Sequence, residues 1–180
     1  MKSRLLLIVC LPIIGCMSSI DAYNHGVTND LNQNYQAAIK CYTKATIKDP
    51  HYAKAYNNLG TALVNVGYYD EAITNYTKAL ICDPYNGDIY TNNISNVYLK
   101  LAQYSYLLGY YQDAIDKYTL AIERKPKNKI AEKIKNMGYE YVELKDIYYN
   151  RALAKEAIGL SSCGDYKKAC ELGDVESCNL

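Results

Sequence analysis

The 180-residue sequence has no tryptophan or phenylalanine, and it contains only two histidines, His25 and His51. Two imidazoles are too few for a typical zinc site, and no Cys-x-x-Cys or His-Glu-x-x-His spacing occurs. A glycine-rich phosphate loop, a nucleophile elbow and a pair of catalytic carboxylates are also missing. We therefore predict a protein that is not an enzyme and needs no cofactor or metal.

The sequence also lacks an excess of either charge. It has 20 lysines and arginines against 19 aspartates and glutamates, giving a formal net charge of +1. Domains that bind nucleic acid usually present a strong basic excess, because the ligand is a polyanion. We therefore expect no nucleic-acid partner.

Long apolar runs are missing except at the N-terminus. The apolar segment 5–14 follows Lys2 and Arg4 and includes Pro12. A transmembrane helix needs about 20 apolar residues, so this segment is too short to span a bilayer. Its length and basic start are typical of an export signal, and we predict a signal peptide over residues 1–15.

The end of this segment, Ile13-Ile14-Gly15-Cys16, resembles a bacterial lipobox. That resemblance implies lipidation of Cys16, and hence a membrane protein held in the cell envelope by its lipid anchor. Several acyl chains anchor a protein stably where one would be marginal. Secretion after cleavage near Ser18 or Ala22, and an uncleaved tail, are the alternatives.

What the sequence has in excess is tyrosine, 21 residues, and much of it falls in a helical pattern. In residues 53–86, apolar residues recur every three or four positions in two runs. Residues 65–67 separate the two runs, and the second run ends at Asp83-Pro84. This spacing predicts two short helices, the second capped by Asp70. Gly60 and Ala72 are small enough to let the two helices approach closely.

The pattern is repeated along the chain. A shift of 34 residues superposes seven residues of one segment on seven of the next, and a shift of 42 finds most of the set again. The superposed positions are Tyr35, Ala38, Ile39, Tyr42, Ala45, Asp49 and Pro50 on Tyr69, Ala72, Ile73, Tyr76, Ala79, Asp83 and Pro84. A period in this range predicts a solenoid, in which each hairpin buries its apolar face on its neighbour.

This signature resembles the tetratricopeptide repeat. The matching residues are Tyr56, Leu59, Gly60, Leu63, Gly67, Tyr69, Ala72, Tyr76, Ala79 and Pro84. The resemblance implies an all-α fold, a right-handed α-α superhelix of helical hairpins whose first helices line a concave groove for peptides or protein partners. We expect a linker and degenerate first repeat over residues 16–52, a second repeat over 53–86, a third with a lengthened first helix over 87–128, and an extra helix with a terminal repeat over 129–180.

The two ends of the chain depart from the pattern. Residues 17–34 are polar, so the first helix of the first repeat is expected to be frayed or to act as a spacer. The tail resembles the cysteine-rich Sel-like relatives of the repeat, which implies a disulfide between Cys170 and Cys178. An exported protein would keep such a bond; two free or buried thiols are the alternative.

Polar residues on the predicted first helices are the candidate partner-binding site, since family positions of this kind hydrogen-bond an extended peptide. They are Lys54, Asn57, Asn58, Thr61 and Asn65 in the second repeat, Lys100 and Gln103 in the third, and Asn150 and Arg151 in the last. We predict an exported scaffold that binds a peptide or protein in its groove. A cysteine-rich enzyme of the β-lactamase or penicillin-binding type and a structural envelope lipoprotein are the alternatives.

Overall fold

The computed structural model of the protein describes residues 18–126, 131–138 and 140–179. The predicted signal peptide and lipidation site, Cys16, lie outside these ranges. Within them, no helix combines the length and the apolar character that crossing a membrane requires.

The described residues form helices joined by short turns. The helices are α1 (Ser19–Leu31), α2 (Tyr35–Lys48), α3 (Ala53–Asn65), α4 (Tyr69–Cys82), α5 (Gly87–Leu107), α6 (Tyr111–Arg124), α7 (Ala131–Asn136), α8 (Leu144–Glu156) and α9 (Cys163–Glu171). Helices α1 and α2, α3 and α4, α5 and α6, and α8 and α9 pair as hairpins, and α2, α4 and α6 each pack on the first helix of the next hairpin. The predicted all-α superhelix is confirmed.

In each of the first two hairpins, a tyrosine ring of the second helix packs against a glycine of the first helix. A Cβ atom placed on Gly60 would lie 2.8 Å from Cε1 of Tyr76, and one placed on Gly26 would lie 2.5 Å from Tyr42. Both tyrosines are buried. The absence of a side chain at these glycines therefore sets how closely the helices pack.

The first helix is well formed, so the expectation that it is frayed is wrong. Ser18 caps α1 in a capping box, in which the Ser18 hydroxyl accepts from the Asp21 backbone N–H at 3.0 Å and the Asp21 carboxylate accepts from the Ser18 backbone N–H at 3.1 Å. This cap satisfies N–H groups that the helix start leaves unpaired. Packing of Gly26 against Tyr42 then fixes the helix on α2.

The third hairpin has the longest first helix. Helix α5 has 21 residues, whereas α3 has 13. Between α6 and α8 lies the six-residue helix α7. Residues 140–143, which precede α8, are not helical.

Charged groups and a disulfide join the parts of the C-terminal hairpin. The guanidinium of Arg151 on α8 donates to both carboxylate oxygens of Asp165 on α9, at 3.0 and 2.6 Å, and Lys155 lies 2.8 Å from the same carboxylate. A disulfide bond joins Cys170 and Cys178.

Candidate functional site

The concave side of the superhelix contains a groove lined by α1, α3 and α5. It consists of two adjoining cavities of about 400 and about 420 Å³. Both are lined by Asn57 and Asn58, which lie between them on α3. We call the two cavities together the concave groove.

Asparagine side chains connect the helices across the floor of the groove. The amide of Asn93 on α5 donates to Oδ1 of Asn57 at 2.9 Å, and Asn57 donates to Oδ1 of Asn58 at 3.3 Å. Asn58 then donates to the hydroxyls of Tyr23 and Tyr42 at 3.1 and 3.4 Å. We call Asn93, Asn57 and Asn58 the asparagine relay. It satisfies polar groups that burial would otherwise leave without water.

The relay ends at a carboxylate. The Tyr42 hydroxyl donates to Oδ2 of Asp30 at 3.3 Å. Burial raises the pKa of Asp30, while this hydrogen bond opposes the shift. Burial and the Asp30 charge raise the pKa of Tyr42, so its hydroxyl stays protonated as a donor. The exposed side chain of Lys100 and the acidic residue Glu140 line the same cavity, which therefore presents two acidic groups and one basic group.

Six of the predicted binding residues line the groove. They are Lys54, Asn57, Asn58, Thr61, Asn65 and Lys100. Among the six, Asn57 is only 4% exposed and is held by its neighbours in the relay. The Thr61 hydroxyl also pairs within the protein, with the backbone oxygen of Asn57 and the hydroxyl of Tyr76.

The other three predicted residues do not line these cavities. Gln103 is exposed, outside both of them. Asn150 donates to the backbone oxygen of Asp146 one turn earlier, at 2.7 Å. Arg151 is bound to Asp165 and to the Thr119 hydroxyl at 2.9 Å, so its guanidinium joins α8 to α9 and α6.

The structure adds groove residues that sequence reasoning missed, including Asp30, Asn93 and Asn96. The pair Asn92-Asn93 repeats Asn57-Asn58 at a spacing of 35 residues. That repeated pair could have indicated Asn93 as a groove residue. It falls in the inserted part of α5, however, where the 34-residue alignment no longer applies.

A second group of amides lies further along α5. Asn92 and Asn96 donate from their Nδ2 atoms to the backbone oxygen of Glu140, at 2.8 and 2.9 Å. Their Oδ1 atoms accept from Nζ of Lys125 at 2.9 and 3.2 Å. Lys125 is buried, and this burial lowers its pKa to about 8. We call Asn92 and Asn96 the asparagine clamp.

The described residues contain no group of three or more histidine, cysteine, aspartate or glutamate side chains that could hold a metal ion. What the groove offers is amide donors and acceptors, tyrosine hydroxyls and a few charges. Such groups recognise the hydrogen-bonding atoms of a peptide backbone.

Comparison with known proteins supports the repeat architecture. Residues 53–86 match the tetratricopeptide repeat family model. A search of curated proteins gives no significant sequence match. The crystal structure of MamA protein superposes with a TM-score of 0.50 at 20% identity, over 88% of this chain and 76% of that one.

Another solved structure, the TPR2B domain of yeast Sti1 in complex with pHsp70, gives a TM-score of 0.46 at 20% identity, over 75% of this chain and 96% of that one. The family match and the MamA superposition together show a tetratricopeptide-repeat fold, which is typical of protein–protein interaction scaffolds.

Proposed function

We propose that the protein is a non-enzymatic scaffold that binds an extended peptide segment of a partner protein in the concave groove. The observation that carries this proposal is the asparagine relay, because it places amide groups along the floor between the two cavities. Asn58 and Asn93 are partly exposed, so a bound strand can reach them. Among the described residues, only one N–H of the Asn93 amide is engaged, and its other groups can bind a backbone.

The charges of the groove suit a partner of mixed charge. Lys100, Asp30 and Glu140 line one cavity, and Lys54 and Asp83 line the other. A single cation in each cavity does not form the cluster that recognition of a phosphorylated or highly acidic segment requires. Backbone recognition, supplemented by one charge contact in each cavity, fits this surface best.

A phage-displayed library of random dodecapeptides selected on residues 16–180 tests the proposal. The selected peptide, labelled with fluorescein, is then titrated by anisotropy against the wild type and two variants. We expect Asn93→Ala to weaken binding about ten-fold, which corresponds to one or two lost hydrogen bonds. The matched control is Asn150→Ala, because in the described part of the chain its amide donates within its own helix. Equal losses in both variants would contradict groove binding.

We further propose that the protein acts in the cell envelope after export, anchored by a lipid on Cys16. The apolar segment 5–14 and the lipobox-like Ile13-Ile14-Gly15-Cys16 support this location. Mass spectrometry of the N-terminus of the mature protein, expressed in a bacterium, tests it. Acylated Cys16 at the terminus is the expected result, and a terminus at Ser19 or Tyr23 would refute the anchor.

A further inference from the structure

Residues 140–143 precede α8 and contact α5 through the backbone oxygen of Glu140, and we call them the strap. The backbone oxygen of Glu140 accepts hydrogen bonds from both members of the asparagine clamp, Asn92 and Asn96. These two amides are 0% and 9% exposed. The donors on this part of the concave face are thus already occupied by a peptide carbonyl of the same chain.

Lys125 determines which way the clamp amides point. Its Nζ atom donates to the Oδ1 atoms of both Asn92 and Asn96. Since the oxygen and the nitrogen of an amide group lie on opposite branches, this orients both NH2 groups toward Glu140. The same Nζ lies 4.1 Å from the centroid of the Tyr141 ring, so the ammonium group contacts the strap directly.

Besides the clamp, contacts of Lys125, Lys135 and Val142 hold the strap. Burying the Lys125 ammonium group has a desolvation cost, seen in its lowered pKa; Glu143 and Glu140 oppose this shift, and Lys135 adds to it. The salt bridge between Lys135 and Glu143 joins side chains that are 50% and 41% exposed, so it adds little stability. The partly buried side chain of Val142 adds an apolar contact with the core around α5, α6 and α8.

The strap adjoins the proposed binding groove. Asn96 and Glu140 line the same cavity as Asn57, Asn58 and Asn93. A peptide that follows the floor along α5 therefore meets the strap one helical turn beyond Asn93. There it would present its carbonyls to amides that already bind the carbonyl of Glu140.

Building on the proposed peptide-binding function, we propose that the strap is an internal competitor of the partner. A partner strand that extends beyond Asn93 displaces the carbonyl of Glu140 and takes its place on Asn92 and Asn96. The groove then has a short form, with the strap closed, and a long form, with the strap released. The free energy of binding such a partner is therefore less favourable by the free energy of releasing the strap.

Cleavage by the glutamate-specific protease Glu-C under native conditions measures strap release without any partner. Its cut sites after Glu140 and Glu143 flank the strap, and mass spectrometry follows the fragments. We expect Lys125→Met to speed cleavage there about ten-fold, because the clamp loses the group that orients it. Lys117→Met is the matched control, since among the described residues Lys117 pairs with the half-exposed Asp113 on its own helix, α6. Unchanged cleavage in a folded Lys125→Met variant would overturn the proposal.

A second variant and a second readout complete the test. If circular dichroism shows that Lys125→Met does not fold, Tyr141→Ala removes the ring contact instead. With the selected dodecapeptide present, cleavage after Glu140 in the wild type should rise several-fold. The peptide should bind Tyr141→Ala several-fold more tightly, because this variant weakens the strap and leaves the Lys125-oriented clamp amides available to the peptide. A peptide that binds both proteins equally and leaves cleavage unchanged would overturn competition. If the library yields no peptide but Lys125→Met still speeds cleavage, the proposed function fails while the reversible closure of the strap stands.

Discussion

The central hairpin and the C-terminal hairpin are held together by different interactions. Between α3 and α4, the buried ring of Tyr76 packs on Gly60 within an apolar cluster, and its hydroxyl pairs with that of Thr61. Between α8 and α9, Asp165 is 5% exposed and its carboxylate pairs with Arg151 and Lys155. The disulfide links α9 to the chain that follows it.

The difference reflects the position of each hairpin in the superhelix. The central hairpin has a neighbour on each side, α2 and α5, so apolar burial alone can stabilise it. Within the described residues, the terminal hairpin has one neighbouring hairpin, on which it packs mainly through α6. Ionic and covalent links make up for the smaller apolar contact, and this predicts that the two hairpins respond differently to the same kinds of perturbation.

The largest effect should follow the loss of the Asp165 carboxylate. Asp165→Ala leaves Arg151 and Lys155 without their partner, and we expect the free energy of unfolding to fall by about 3 kcal/mol. Urea denaturation measures the loss, and hydrogen exchange should place it in α8 and α9 rather than in α3 and α4. Asp116→Ala, at an exposed position on α6, should change stability by less than about 0.5 kcal/mol.

Removal of the disulfide should have the next largest effect. For a loop with a sequence separation of 8, the double variant Cys170→Ser/Cys178→Ser should lose about 2.5 kcal/mol on the chain-entropy model. The exposed free thiol Cys163 provides the control, since Cys163→Ser should be neutral. Equal exchange rates in residues 163–179 of the double variant and the wild type would contradict a stabilising role.

A glycine-to-alanine substitution should change the free energy of unfolding in opposite directions in the two hairpins. Gly60→Ala forces a methyl group against the Tyr76 ring and should destabilise the protein by about 2 kcal/mol. Gly164→Ala, inside α9 with no atom within 4 Å of its added Cβ, should stabilise it by about 0.5 to 1 kcal/mol. Thermal unfolding of the pair measures both, and a loss at both positions would contradict the comparison.

Low pH should destabilise the terminal hairpin, because Asp165 becomes protonated. Burial raises the pKa of Asp165, but the hydrogen bonds and charges of Arg151 and Lys155 lower it more, so the net pKa lies below the ordinary value of 3.8. The folded state therefore binds this proton less readily than the unfolded chain does, and stability present above about pH 4 is lost as the pH falls through the folded pKa.

Denaturation between pH 7 and pH 3 measures this effect, which should be the smallest of the four. Asp165→Asn, which cannot ionise, should lose part of the pH dependence seen in the wild type. Identical pH profiles for the two proteins would show that the terminal ion pairs do not contribute to acid sensitivity.

The repeat itself was predictable from the sequence, and the polar contacts were not. Tyr76 and Gly60 follow from helical spacing and a 34-residue period, which depend on local pattern. The burial of Asn57 depends on Asn93, which reaches it from a helix 36 residues away in the sequence. Helical spacing shows which face a residue occupies, but not which side chain from the next helix will cover it.

The misplaced site residues have similar causes. Arg151 has the position of a groove residue in the pattern, yet Asp165 on the next helix binds it. The extra helix between α6 and α8 was expected from the length of the insertion. The path of the strap over α5 was not, because it depends on Lys125 meeting two asparagines about 30 residues earlier in the chain.

With a lipid on Cys16, the capping box at the start of α1 would limit how far the superhelix could lie from a membrane. Helix α1 begins at Ser19 and is fixed by Ser18, so only two residue steps separate the helix cap from Cys16. Even fully extended, two steps span about 7 Å. A lipid on Cys16 would therefore hold the first repeat within about 7 Å of the bilayer surface. Partners would then bind next to the lipid headgroups.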